Sequence, residues 1–151
     1  MGDRPRNHKA NKGPKGEAKQ HFQSMVNYMD KIIGRLIQKT EDLGIAENTL
    51  IVFTADNGTH TGITSRWRGQ SIQGGKAKMD DMGTHVPLVA YQKGRTPEGV
   101  VLPDLVDFTD IYPTLAQAAG VELSEDDPRD GVSFLPQLRG EEGTPREWIL
   151  C

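Results

Sequence analysis

Residues 49–58, TLIVFTADNG, decide how this chain is read. The first seven are apolar or β-branched without alternation, the pattern of a strand whose two faces are both covered, as parallel strands are between helix layers. Asp56, Asn57 and Gly58 follow at its carboxyl end, where open α/β sheets present their ligand-binding loops. Consecutive strand side chains point to opposite faces, so Asp56 and Asn57 reach a common ion only after the strand has ended and turned, which Gly58 makes easy. A carboxylate beside an amide carbonyl offers two hard oxygen ligands, suited to Ca²⁺ or Mg²⁺; a Ca²⁺ ion takes about six to eight. The competing account is an Asn-Gly hairpin turn. Residues 59–70, THTGITSRWRGQ, lack the alternating return strand such a hairpin requires.

Upstream, Phe22, Met25, Val26, Met29, Ile32, Ile33, Leu36, Ile37 and Leu43 recur at steps of three and four. This predicts an amphipathic helix from Glu17 that ends at Gly44. Residues 1–16 are basic, with Pro and Gly and no apolar period, and read as a flexible segment. Downstream, residues 57–77 read as a long irregular connection, of the kind that is usually functional or disordered. Residues 86–91, VPLVAY, form a second strand, and Val100–Leu102 a short third. Asp107 or Thr109 then caps a helix to about Ala119, with Pro113 in its first turn and Gly120 as its stop, and Ser133 caps a brief turn through Leu138. Helix, strand, loop, strand, helix is an α/β order, although two or three strands make a poor sheet alone.

With 151 residues, 35% apolar and 26% charged, the chain is long enough for one domain with a real core. A net charge of −3 supplies no cationic field for a nucleic-acid backbone, so nucleic acid is not expected as a partner. Cys151 is the single cysteine, which excludes an internal disulfide or a thiolate metal cage. No stretch approaches the ~20 apolar residues of a membrane helix, and the first residues do not read as a signal peptide.

A second constellation, Gly74, Gly75 and Lys76, combines backbone that can approach an anion closely with a compact positive charge. A flexible loop with a solvated lysine is the plainer account, and the spacing is not that of a nucleotide P-loop. Arg66 and Arg68 flank Trp67 and add charge suited to an anionic ligand, or are simply exposed. His60 and His85 are the histidines nearest these motifs and can move protons near neutral pH, or are structural. Asp80 and Asp81 pair with the lysine or the metal, or cap a helix.

In chain order, residues 25–58 (MVNYMDKIIGRLIQKTEDLGIAENTLIVFTADNG), GGK followed by GTHVPLVA, VDFTDIYPTLAQAAG and DGVSFLPQL together resemble the sulfatase family of the alkaline-phosphatase-like superfamily. The resemblance implies a partial alkaline-phosphatase-like α/β sandwich over residues 17–151, a mostly parallel sheet with flanking helices. It implies a Ca²⁺-dependent hydrolase of sulfate esters whose nucleophile is a formylglycine made from Cys or Ser. Asp56 and Asn57 fall on the family's metal-binding pair and Lys76 on its sulfate-binding lysine, with His60 near the same site. Where the family often shows Glu, two Gly and Arg before Val-Pro, this chain has Asp81, Met82, Gly83 and His85. The nucleophile motif, Cys or Ser followed by any residue, Pro, a small residue and Arg, does not occur, nor do the family's early acidic metal ligands. The resemblance therefore implies the later part of such an enzyme, inactive alone, from a periplasmic, extracellular or lysosomal protein. A phosphonate or phosphate ester hydrolase of the same superfamily, or a non-catalytic anion-binding or interaction domain, stands as the alternative. A missing half-sheet would leave apolar surface that favours self-association.

Overall fold

A computed structural model describes residues 15–124 and 126–149. Most of the basic segment 1–16, and Cys151, lie outside the described residues. Helix α1 covers Lys15–Asp42. It stops where the sequence places a stop: Gly44 adopts a φ of +69°, and the Ile45 N–H donates back to the Thr40 carbonyl at 3.0 Å. Strand β1 is Ile51–Thr54 and β4 is Leu88–Tyr91, hydrogen-bonded neighbours in one two-stranded sheet. A second sheet pairs β2 (Thr64–Trp67) antiparallel with β3 (Gln70–Gln73). The short α2 (Asp81–Thr84), α3 (Ile111–Ala118) and α4 (Leu135–Leu138) complete the elements.

Contacts group the chain into two compact units. The first takes the described residues up to Ile45 together with Phe53–Val89, and the second Ala46–Val52 together with the described residues from Ala90 on. In the first unit the long connection is not irregular. Thr64 faces Gln73 and Trp67 faces Gln70 across a two-residue turn in which Arg68 (φ +48°) and Gly69 (φ +81°) are both left-handed, as a type I′ turn requires. The hairpin escapes sequence reading because TSRW and QSIQ show no apolar alternation. The apolar side of α1 is largely open among the described residues: Met25, Val26, Met29 and Ile32 are exposed, and Leu36 is 52% accessible. Strand β1 is half-buried rather than covered on both faces.

In the second unit, Val100–Leu102 is not a strand; Val101 is 92% exposed, between left-handed Gly99 and Pro103. Asp107, not Thr109, is the cap. Its carboxylate accepts from the Thr109 N–H at 2.8 Å, the Asp110 carboxylate accepts from the Asp107 N–H at 2.8 Å, and a 3₁₀ turn over Phe108–Asp110 leads into α3. Pro113 is buried in the first turn of α3, and Gly120 (φ +72°) follows its end. Ser133 Oγ accepts from the Leu135 N–H at 3.2 Å at the start of α4, as its position suggests.

Asp110 organises this unit. Its side chain is 2% exposed and accepts from the Asp107 N–H, the Val132 N–H at 2.7 Å, and Nε and Nη2 of Arg146 at 2.6–2.9 Å. The same Nη2 donates to the Asp130 carbonyl at 2.7 Å. The Asp110 carbonyl accepts from Thr114 Oγ1 at 2.7 Å, and Thr114 Oγ1 accepts from the Phe134 N–H at 3.1 Å, beside the buried Phe134 and Leu135. Few apolar side chains are fully buried among the described residues, so this satisfied polar network carries much of the unit's order.

Burial pushes the Asp110 carboxyl up, but the bonds from Arg146, Val132 and Asp107 outweigh it and leave the group below its ordinary value. A lowered folded value means that Asp110 contributes stability above the ordinary aspartate range, near pH ~4, and that this contribution is lost as pH falls through the folded value. Arg146→Ala strands a buried carboxylate and is expected to cost about 3 kcal/mol in urea unfolding near neutral pH. The difference between wild type and Asp110→Asn should narrow in acid.

Candidate functional site

All the residues proposed from sequence as a site fall in the first unit. Strand β1 ends at Thr54, and the chain bends at Asp56 and Asn57, as two adjacent side chains need in order to serve one ligand. Asp56 is exposed and Asn57 half-buried. Two backbone hydrogen bonds then hold this bend to the segment carrying the lysine. The Gly58 N–H donates to the Gly83 carbonyl at 2.8 Å, and the Lys76 N–H donates to the Thr59 carbonyl at 3.0 Å. Nearby, the Gly74 N–H donates to the Ile63 carbonyl at 2.9 Å and closes the base of the hairpin.

The glycines explain why these strips of backbone lie so close. A Cβ on Gly58 would stand 2.9 Å from the Met82 carbonyl carbon, on Gly74 2.7 Å from that of Thr59, on Gly75 2.6 Å from that of Met82, and on Gly83 2.7 Å from the Gly75 carbonyl oxygen. Each distance is shorter than van der Waals contact, so backbone rests on backbone at all four positions. Gly74 and Gly75, which in sequence suit either an approaching anion or a flexible loop, are both buried against the chain itself. Gly83, which reads in sequence only as one of the substituted positions before Val-Pro, is a partner in the crossing. Its signal was available: a glycine between two bulky residues in a capped turn, Asp80 Oδ1 accepting from the Gly83 N–H at 3.1 Å.

Lys76 sits in a turn closed by the Lys78 N–H on the Gly75 carbonyl at 2.8 Å, whose following residue, Ala77, is left-handed at φ +70°. A residue with a Cβ pays about 1–2 kcal/mol for that conformation, so the turn beside Lys76 is held by its surroundings. The Lys76 side chain is exposed, and no ion pair occupies it among the described residues. His60 is also exposed, and its Nδ1 accepts from the Gly62 N–H at 3.0 Å, which leaves Nε2 as the protonated nitrogen of the neutral ring. His85 Nδ1 lies 3.0 Å from Asp81 Oδ1 in a solvent-exposed pair one helical turn apart, so Asp81 is engaged by His85 and Asp80 by the helix cap. A groove of about 190 Å³ opens between the hairpin base and α2, among Ile63, Ile72, Met82 and His85; none of Asp56, Asn57 and Lys76 lines it.

The donors at the bend suit a hard cation in kind. In number they do not complete its sphere, since no cluster of three or more His, Cys, Asp or Glu stands ready for a metal among the described residues. No helix among them is long and apolar enough to cross a membrane.

The sulfatase family profile matches residues 3–121. The chain is 36% identical to mouse steryl-sulfatase over 123 residues, covering 77% of this chain and 20% of that protein. It is 30% identical to human iduronate 2-sulfatase over 172 residues, covering 87% of this chain and 30% of the relative. The crystal structure of the PsFucS1 sulfatase from Pseudoalteromonas sp. superposes with a TM-score of 0.61 at 35% identity, over 78% of this chain and 24% of that one. The chain belongs to the sulfatase family and has its α/β, alkaline-phosphatase-like fold. It spans about a fifth to a third of the length of the curated relatives it matches.

Gly83→Ala and Gly58→Ala are each expected to cost about 2 kcal/mol or more, because the added methyl meets backbone that has no free rotamer to yield. Hydrogen exchange should quicken at the Gly58 and Lys76 amides first. Gly34→Ala is the opposite control: it lies within α1 with nothing inside 4 Å of the new methyl, and should raise helix stability by about 0.8–1 kcal/mol.

Proposed function

We propose that this chain is the later part of a sulfuric ester hydrolase, in which Asp56 and Asn57 are two oxygen ligands of a Ca²⁺ ion and Lys76 binds the sulfate. The observation that carries the reading is the pair of backbone bonds from Gly58 to Gly83 and from Lys76 to Thr59, which ties the acid-amide bend to the lysine turn. Sulfatase relatives act as background support, and the donor chemistry agrees with a hard cation beside an anion. When bound, the ion would neutralise charge on the sulfate oxygens.

The chain's own residues would do the following. Asp56 offers a carboxylate and Asn57 a carbonyl oxygen from consecutive positions past the strand end. Lys76 offers up to three N–H donors on a unit charge, aimed at the oxygens on which negative charge grows as the ester bond breaks. His60, with Nδ1 accepting from the Gly62 N–H, presents Nε2–H as a neutral hydrogen-bond donor toward an oxygen of the ester. The nucleophile, a formylglycine, and the remaining metal ligands belong to parts of the protein outside these residues. The isolated chain then binds sulfate and Ca²⁺ weakly and turns over no ester, and the open apolar side of α1 favours its self-association.

The test is a residue-resolved NMR titration of the 151-residue chain with Ca²⁺ and with inorganic sulfate. Shifts should gather at residues 56–58 for Ca²⁺ and around Lys76 for sulfate, with dissociation constants in the millimolar range, and Lys76→Ala should abolish the sulfate response. Hydrolysis of an aryl sulfate above the Lys76→Ala background, or micromolar Ca²⁺ binding by calorimetry, would contradict the reading.

A further inference from the structure

The hairpin that projects between the two motifs has no task in the scheme above, and its chemistry is unlike that of the rest of the chain. Although the protein carries more acidic than basic residues, residues 57–79 contain no Asp or Glu and hold Arg66, Arg68, Lys76 and Lys78. No ion pair neutralises any of these four among the described residues. At the hairpin tip the Arg68 guanidinium carbon stands 5.5 Å from the centre of the Trp67 ring, and Trp67 is still 63% exposed. Arg68 also takes a left-handed φ of +48°, where residues with a Cβ are rare, at a turn position that Asn or Asp fills more easily. An unfavourable backbone choice that keeps a guanidinium on an exposed indole is the kind of outlier that accompanies recognition.

The neighbouring side chains narrow the ligand. The register places Ser65, Gln70 and the one aliphatic side chain, Ile72, on the Trp67 face of the hairpin, and Thr64, Arg66, Ser71 and Gln73 on the other. A hydroxyl and an amide beside a flat indole suit a ring that is apolar on its C–H face and hydroxylated at its edge, and the Arg68 guanidinium fork suits sulfate or carboxylate oxygens. Four strand residues at ~3.3 Å each place the tip about 13 Å from the hairpin base, beyond which the chain runs directly into Gly74–Lys76. A group held at the tip is therefore not the one held at Lys76.

We infer that the β2–β3 hairpin is a specificity arm that binds a second anionic group on a sulfated saccharide, with Trp67 stacking on a sugar ring and Arg68 pairing its sulfate or carboxylate, while the scissile ester lies at Lys76. The inference rests on the proposed role of Lys76 only for the position of the ester.

The test titrates the 151-residue chain, followed by amide NMR, with four probes: phenyl sulfate, a hexosamine–hexuronate disaccharide carrying two sulfates, its unsulfated counterpart, and an acidic peptide of equal charge. The disulfated disaccharide should shift residues 64–73 and bind roughly fivefold more tightly than phenyl sulfate, the gain expected of one exposed charge pair together with stacking on the indole. Arg68→Ala should remove most of that gain, Arg66→Ala on the opposite face should leave it, and Trp67→Ala should weaken the disaccharide while leaving phenyl sulfate unchanged. Arg68→Gly keeps the turn and removes the charge, so it separates recognition from folding. Lys76→Ala reports on the ester site alone, because it should weaken phenyl sulfate while the hairpin shifts persist. Hairpin shifts that are absent, or equal for the acidic peptide, or unchanged by Arg68→Ala, overturn the inference without touching the reading of Lys76.

Discussion

Everything at the candidate site depends on one steric condition: four glycines let backbone lie on backbone where the bend after β1 meets the turn that carries Lys76. The hydrogen bonds from Gly58 to Gly83 and from Lys76 to Thr59 form only because no Cβ separates the strips. Backbone atoms have fixed geometry, whereas side chains choose among rotamers, so this contact sets the two backbone segments against each other more tightly than side-chain packing would. The backbone that carries Lys76 and the acid-amide pair is thus placed by the least adjustable atoms available.

The second unit solves its order differently. Fully buried apolar side chains are few among the described residues, and the Asp110 carboxylate takes their place as a hub, gathering Arg146, the backbone at Val132 and the cap at Asp107. Such a hub is effective only when every acceptor site is used, because an unpaired carboxylate in the same place would be strongly destabilising. The buried Thr114, bonded on both sides to Asp110 and Phe134, extends the same economy into the start of α4.

What could be read from sequence was what local chemistry determines. The periodicity of α1, its glycine stop, strands β1 and β4, the Asp107 cap and the arrest at Gly120 are each decided within a few residues of themselves. The hairpin was missed because its strands are polar on both sides and its first turn residue is an arginine; equal four-residue arms around Arg68-Gly69 were the only trace. The pairing of Asp110 with Arg146 joins positions 36 apart in sequence, which no local pattern encodes. Asp56, Asn57 and Lys76 were legible as chemistry, but the reason for Gly74 and Gly75 was not, since an anion and a crossing chain both call for a missing Cβ. The apolar stripe of α1 was read correctly as a stripe, and its exposure here follows from how little of its surface the described residues cover.

The closure at the base of the hairpin has a consequence for how members of this family can diverge. Because the Gly74 N–H meets the Ile63 carbonyl below the arm, the entropy of whatever lies between Trp67 and Gln70 is confined above that lock. Residues can be inserted, deleted or exchanged at the tip, at small thermodynamic cost, without moving the lysine or the acid-amide pair beneath. The arm is a natural graft point, whose tip can be rewritten while the lysine and the acid-amide pair keep their places.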